Sequence, residues 1–201
     1  GNLDVAVTYS LSDDRALRIE IEATTDAPTF CSFAHHSYWN LDGTPDLSSH
    51  RLTVHADRYN AVDERRIPVG APKAVDGTRF DLRTPQPIIR PYAEPLDHNF
   101  CCFDDISGDL RELAVLSTAD LALRISSTDP GFQVYDGARM DTTPVAGLTG
   151  QPYGPYAGIA LEPQRWPDAP NHPEFPSVVL RPGETYRQVS EFRIADSTET
   201  F

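Results

Sequence analysis

A carboxylate and two histidines lie beside apolar segments, where the surroundings could fit them for proton transfer. Glu162 directly follows the apolar run 158–161. A carboxylate at the end of a buried strand is partly desolvated, which raises its pKa toward the range useful for a general base. The alternative is a surface ion pair with Arg165. His35 and His36 are neighbours on an extended segment, so they project to opposite faces and do not form a two-histidine metal clip.

A second polar cluster consists of Asp97, His98 and Asn99. The cluster suits an Asx-type turn, in which side chains bind nearby backbone, and it equally suits hydrogen bonding to a polyhydroxylated ligand. Trp39 and Trp166, the two tryptophans of the chain, each lie within four residues of a candidate site residue. Either ring could line a sugar pocket or pack in the core.

Alternation of apolar and polar residues predicts short strands along most of the chain. The predicted strands are 5–9, 17–22, 29–35, 50–55, 112–118, 121–127, 131–135, 156–161 and 185–194, with a hairpin turn at 12–14 and long loops at 60–95 and 136–156. Eighteen prolines and twelve glycines interrupt the chain, and no long capped helical stripe is present. We expect one all-β domain over residues 1–201, an antiparallel sandwich or barrel-like assembly with few helices.

Composition narrows the class of ligand. The chain has 30 acidic and 17 basic side chains, a formal net charge of −13, and no stretch concentrates Lys or Arg, so we expect no nucleic-acid partner. A neutral small molecule fits this balance better than a strongly anionic one. No apolar run approaches the length of a membrane-spanning helix, so we expect no membrane partner.

The cysteines bear on the cellular compartment. Their number is three, and Cys101 and Cys102 are adjacent, so they give no disulfide framework. We therefore expect a reducing compartment and a cytoplasmic protein.

The chain starts at Gly1 and enters a strand almost at once, from which we expect its N-terminal part to be missing. The sequence leaves open whether the protein is a monomer or a homodimer.

Ordered motifs spread over nearly the whole chain resemble a known family. The motifs are His35-His36-Ser37-Tyr38-Trp39-Asn40-Leu41, Asp76-Gly77-Thr78-Arg79-Phe80-Asp81-Leu82, Asp97-His98-Asn99-Phe100, Pro130-Gly131-Phe132-Gln133-Val134-Tyr135, the segment 161–171 and the segment 175–186. Together they resemble the galactose mutarotase branch of the aldose 1-epimerase family. Several motifs in the same order are far more specific than any one alone.

The resemblance implies a large antiparallel β-sandwich with the site in a cleft on one sheet, and it implies the interconversion of the α and β anomers of a neutral aldohexose. His36 matches the acid that protonates the ring oxygen, and Glu162 matches the base that takes the proton of the C1 hydroxyl. Asp97 and Gln133 match residues that hydrogen-bond sugar hydroxyls. This chemistry pairs one acid with one base and requires neither a metal nor a redox cofactor.

Departures from the family pattern raise two further expectations. His35 replaces the usual asparagine, and Asp136 stands where threonine is common, so we expect an altered pocket rim and sugar preference. The family also uses an arginine and a second histidine from a segment that precedes this chain. We therefore expect the chain by itself to bind sugar weakly and to turn it over poorly, because lost positioning costs rate.

Two other functions remain open at this point. One is a non-catalytic sugar-binding or regulatory domain on the same fold, since a fold alone does not establish a function. The presence of both His36 and Glu162 favours the enzyme, because a binder needs no matched acid and base. The other is a mutarotase for a phosphorylated hexose, which would need a basic pocket.

Overall fold

The computed structural model describes residues 1–90 and 93–198, so positions 91 and 92 of the predicted 60–95 loop and 199–201 of the predicted domain lie outside the described residues. The strands are β1 Leu3–Leu11, β2 Ala16–Thr25, β3 Thr29–Phe30, β4 Tyr38–Trp39, β5 Arg51–Val54, β6 Arg58–Tyr59, β7 Lys73–Ala74, β8 Gln86–Pro87, β9 Asp97–Cys101, β10 Arg111–Ser117, β11 Leu121–Ser127, β12 Gly131–Tyr135, β13 Ile159–Gln164, β14 Val179–Leu180 and β15 Tyr186–Asp196. A 3₁₀ helix spans Ala169–Asn171. The described residues include no helix with the length and apolar character that a membrane crossing needs.

The strands assemble into two large sheets and one small ribbon. Seven strands form the first sheet in the order β1-β2-β15-β11-β10-β5-β8, and six form the second in the order β4-β13-β12-β9-β6-β7. The ribbon contains β14 and β3. Neighbouring strands run antiparallel. The predicted all-β antiparallel fold with few helices is confirmed.

The two large sheets pack face to face through one apolar core. Phe100, Phe132 and Leu161 of the second sheet and Leu123 and Phe192 of the first belong to the same buried cluster. Because side chains alternate between the faces of a strand, the second sheet turns its other face away from this core. That outer face is available for polar residues.

The first strand is an exposed edge of the first sheet. β1 pairs with β2 along its whole length, and its residues are exposed throughout. Val7 and Tyr9 lie opposite the buried Ile21 and Ile19, yet they are 47% and 58% exposed. The core-facing side of β1 is thus uncovered in the part of the chain that the structure describes, and such an edge invites pairing with another strand.

Sequence patterning locates the long strands better than the short ones. The turn predicted at 12–14 joins β1 to β2, and the strands predicted at 121–127 and 131–135 have the observed bounds. The strand predicted at 29–35 is wrong beyond Phe30, because residues 31–37 adopt no strand conformation. The pattern does not predict β9, since its opening residues have the composition of a turn.

Candidate active site

Polar side chains from three neighbouring strands share the outer face of the second sheet. Gln133 of β12 lies opposite Glu162 of β13 and Asn99 of β9. Asp97 of β9 lies opposite Tyr135 of β12. Directly opposed residues of antiparallel strands project to the same face, as do alternate residues of one strand. These five residues therefore form one surface, and its reverse side is the apolar core.

His36 lies beside this surface and faces Glu162. Its Nε2 is 3.5 Å from Glu162 Oε1, and the imidazole is 52% exposed whereas the Glu162 side chain is 8% exposed. His35 points toward the first sheet, where its ring centroid lies 5.8 Å from those of Tyr9 and Phe192. The prediction that His36, and not His35, shares a face with Glu162 is confirmed.

Glu162 lies inside a strand, not after it as the sequence suggests. β13 continues through Pro163 to Gln164. A proline cannot donate to a β-ladder and normally marks an edge or an end. Here β4 pairs only with Ile159 and Ala160. Among the described residues, therefore, no strand beside Pro163 on the β4 side needs a backbone N–H from it. The base candidate is thus held by a continuous strand.

The environment of Glu162 favours a proton-accepting role. Burial raises the pKa of Glu162, the neighbouring His36 lowers it, and the nearby charge of Asp97 raises it again, with a net upward shift. The suggested ion pair between Glu162 and Arg165 is wrong. Arg165 instead places its Nε 3.8 Å from Oδ1 of the buried Asp129.

Asp97 is oriented from two sides. Gln133 Nε2 donates a hydrogen bond to Asp97 Oδ1 at 2.9 Å, and Arg66 Nε lies 3.9 Å from Asp97 Oδ2. Arg66 also places Nη1 3.5 Å from Oε1 of Glu94. A carboxylate has about four acceptor sites, so Asp97 retains acceptor capacity for a ligand hydroxyl.

A cleft of about 250 Å³ opens beside these residues. Its polar lining residues are Asn60, Arg66, Asp97, Asn99, Gln133 and Gln164, and its apolar ones are Val62, Pro68 and Pro167. Amide, carboxylate and guanidinium groups can donate to or accept from many hydroxyls at once. The cleft therefore suits a small polyhydroxylated molecule.

His98 belongs to the core side of β9, while Asp97 and Asn99 face the cleft. Its side chain is 3% exposed, and its ring centroid lies 4.4 Å from that of Phe80. Its Nδ1 accepts the backbone N–H of Asp97 at 3.2 Å. The turn suggested for this segment is wrong, because hydrogen bonds to β12 hold it as a strand.

Burial of His98 should make the protein less stable in acid. Burial lowers the pKa of His98 to about 4 from a usual 6.5. A depressed folded-state pKa contributes stability that is present above pH 6.5 and lost as the pH falls toward 4, about 3 kcal/mol in all. Between pH 7.5 and pH 4.5, the free energy of unfolding measured in urea should fall by about 2 kcal/mol less in His98→Gln than in the parent. The substitution keeps every carboxyl group of the chain, so an equal fall would contradict the assignment.

Asp136 does not line the cleft, so the expectation that it shapes the rim is wrong. It follows Tyr135, projects to the other side and is 1% exposed. Its Oδ2 accepts the Leu96 N–H at 2.7 Å, and its Oδ1 accepts the Ala138 N–H at 3.1 Å. Arg79 Nη2 lies 3.4 Å from Oδ2. Asp136 is a buried anchor beneath the strand ends that carry Asp97 and Tyr135.

The two tryptophans pack in the interior and do not form a sugar platform on the Glu162 surface. Trp39 stacks on Phe192 with ring centroids 5.2 Å apart. Trp166 is 3% exposed and meets Phe175 edge to face at 5.1 Å. Trp39 thus packs on the core side, whereas Trp166 packs in a separate buried cluster with Cys101, on the face of the second sheet that Gly131 shares with Gln133.

Two tyrosines of the site are missed by sequence reasoning. The Tyr38 ring centroid lies 5.2 Å from that of His36 and 6.2 Å from that of Tyr135. Burial raises the pKa of Tyr38, and the neighbouring Tyr135 and Glu162 add to this shift. The period of two along β12 could have found Tyr135 from Gln133, whereas no local signal marks Tyr38 or the loop residue Arg66.

Comparison with known proteins gives a consistent relationship. The aldose 1-epimerase family model matches residues 1–193. Galactose mutarotase of Rattus norvegicus is 37% identical over 97% of the chain, and aldose 1-epimerase of Escherichia coli K12 is 37% identical over 96%. A solved aldose epimerase homologue from C. elegans covers 96% of the chain with a TM-score of 0.86 at 30% identity. Galactose 1-epimerase from Lactobacillus acidophilus covers 98% with a TM-score of 0.79 at 25% identity.

The chain spans only part of the length of these relatives. It covers 58% of the rat protein, 59% of the E. coli protein, and 60% and 58% of the two solved chains. The family match nevertheless extends over residues 1–193, and the structural match takes in both large sheets. On these grounds, the chain belongs to the aldose 1-epimerase family.

Proposed function

We propose that the protein is an aldose 1-epimerase that interconverts the α and β anomers of a neutral aldohexose such as galactose. The observation that carries this proposal is the 3.5 Å separation between His36 Nε2 and the buried Glu162 Oε1. Asp97 and Gln133 lie on the same surface. A ligand-binding surface needs no acid beside a buried base, whereas opening a hemiacetal needs both.

The proposed reaction moves two protons and breaks one ring bond. Glu162 takes the proton of the C1 hydroxyl while His36 donates a proton to the ring oxygen, so the bond between C1 and the ring oxygen breaks and an open-chain aldehyde forms. Rotation about C1–C2 presents the other face of the aldehyde. On reclosure the C5 hydroxyl attacks C1 and gives its proton to His36, while Glu162 returns its proton to the oxygen on C1, so the other anomer forms and both residues regain their starting forms. Asp97 and Gln133 would hold sugar hydroxyls so that C1 stays within reach.

The charge of the cleft favours a neutral sugar over a phosphorylated one. Arg66 is the cationic residue that lines the described cleft, and it lies near the carboxylates of both Glu94 and Asp97. A phosphate would therefore meet an already compensated charge.

The direct test of the proposal is polarimetry of freshly dissolved α-galactose with the purified protein. Sugar binding without faster mutarotation would favour a non-catalytic binding domain.

We further propose a cytoplasmic location. The proposal rests on the odd number of cysteines and on the adjacency of Cys101 and Cys102. A sugar is the proposed small-molecule partner.

The pH dependence of activity should reveal the charge coupling between Glu162 and Asp97. The base must be deprotonated, so the acid limb of kcat/KM follows the pKa of Glu162, which burial and then the Asp97 charge raise. In Asp97→Asn the like charge is gone, and we expect this limb to move to lower pH as well as the rate to fall. Gln133→Asn, which shortens the side chain that contacts Asp97 without changing its charge, is the control and should leave the limb in place. A limb that does not move in Asp97→Asn would contradict the coupling.

A further inference from the structure

A buried glutamine of the first sheet contacts the backbones of the segments that carry the acid and base candidates. Gln188 of β15 is 2% exposed and lies on the buried side of the strand, between Tyr186 and Ser190. Its Nε2 donates to the Pro163 carbonyl at 2.9 Å and to the Phe33 carbonyl at 3.2 Å. A side-chain amide has two N–H groups, so it can make both hydrogen bonds at once. One side chain thus joins two segments that are distant in sequence.

The two carbonyls lie close in sequence to the two candidates. Pro163 directly follows Glu162 in β13, and Phe33 precedes His36 by three residues in the segment 31–37. Because this segment forms no strand, its path depends on contacts with other elements. A shift of either backbone would change the 3.5 Å separation between His36 Nε2 and Glu162 Oε1.

Other contacts of β15 hold the histidine segment but not the strand of the base. Tyr186 Oη accepts the Phe33 N–H at 3.4 Å, and the two rings meet edge to face at 5.5 Å. The His35 ring centroid lies 5.8 Å from that of Phe192. Gln188 differs because it also holds β13. A buried amide costs free energy unless its N–H groups are paired, so packing alone would favour an apolar residue at this position.

We propose that Gln188 is a positioning residue that sets the separation between His36 and Glu162. It acts through the backbones of Phe33 and Pro163 and not on the sugar. This inference rests on the proposed function, in which one proton leaves the C1 hydroxyl while another reaches the ring oxygen. Both transfers need their groups within hydrogen-bond reach, and a misplacement of about 1 Å can lower a rate by about 10²-fold.

Gln188→Met tests the proposal, because it keeps an unbranched side chain of similar length and removes both N–H donors. We expect kcat for galactose mutarotation to fall by at least about tenfold while KM stays within about threefold of the parent. KM is spared because Asp97 and Gln133, the proposed sugar-binding residues, lie on β9 and β12. Polarimetry at several sugar concentrations separates the two constants.

Ser190→Ala is the matched control. It also removes a buried hydrogen bond of β15, between the Ser190 and Ser127 hydroxyls at 3.2 Å, and it should leave kcat and KM at the parent values. A fall in kcat of less than about tenfold in Gln188→Met, or a loss of activity that a rise in KM explains, overturns the positioning role.

Two further experiments cover a variant that does not fold and a parent that does not turn sugar over. If circular dichroism shows Gln188→Met to be unfolded, Gln188→Asn replaces it, because the same amide on a shorter stem does not span both carbonyls and should lower kcat likewise. Absence of mutarotation in the parent would count against the proposed function. Crystal structures of parent and variant then decide on Gln188 independently of turnover. We expect the distance from His36 Nε2 to Glu162 Oε1 to lengthen by about 1 Å in the variant, and an unchanged distance overturns the proposal.

Discussion

Glu162→Gln is expected to lower kcat/KM for galactose mutarotation by at least about 10²-fold, within the range that a positioned general base contributes. The amide keeps the size of the side chain and can still accept a hydrogen bond, but it cannot take up the C1 proton. The side chain is 8% exposed and faces His36 at 3.5 Å, so solvent has little access to take over its role as the base. Polarimetry at several sugar concentrations gives kcat and KM separately.

Controls for this substitution distinguish lost chemistry from lost structure. Glu184→Gln changes an exposed glutamate and should keep the parent activity. The unfolding midpoint of Glu162→Gln should stay close to that of the parent, since β13 retains its pairing with β12. Activity within about threefold of the parent would remove Glu162 from the proposed mechanism, because a missing base costs more than that.

Asp136→Ala is expected to lower the free energy of unfolding by about 3–5 kcal/mol, the cost of breaking a buried ion pair. The substitution leaves Arg79, which is 13% exposed, without its carboxylate. It also removes the acceptor of the Leu96 N–H. Urea denaturation followed by circular dichroism measures the loss.

Two further variants test whether the cost comes from the unpaired charge. Asp120→Ala, at an exposed position, should change stability by no more than about 0.5 kcal/mol. The double variant Arg79→Met with Asp136→Leu should recover part of the loss, because it removes both charges together. A loss below about 1 kcal/mol in Asp136→Ala would show that the pair does not hold the strand ends.

The fold could be predicted where side-chain alternation carries the information. β11 and β12 alternate between a buried and a less buried face, and this period can be read directly from the residues. The two-residue strands β6, β7 and β8 have no period of their own, and their pairing depends on the neighbouring strands. Pro163 hides the end of β13, because whether a proline breaks a strand depends on the partner at that edge.

The candidate site could be predicted only as separate pieces. The resemblance selects His36 and Glu162, and alternation assigns His36 rather than His35, but their approach depends on how distant parts of the chain meet. Arg66 enters the cleft from a loop with a positive backbone angle, φ 65°, which no local motif indicates. Asp136 could have been assigned to the buried side, because a residue that follows Tyr135 in an extended chain projects to the opposite side of the sheet.

The acid and base candidates differ in how their backbones are held. Glu162 sits in β13, which is paired with β12, whereas His36 projects from residues 31–37, which form no strand. A change of residue in β13 would disturb the core and the base together, since Leu161 on the reverse side is fully buried. A change in the 31–37 segment would move the acid with less cost to the sheets. Evolution of new sugar preferences should therefore proceed more freely on the histidine side of the site than on the glutamate side.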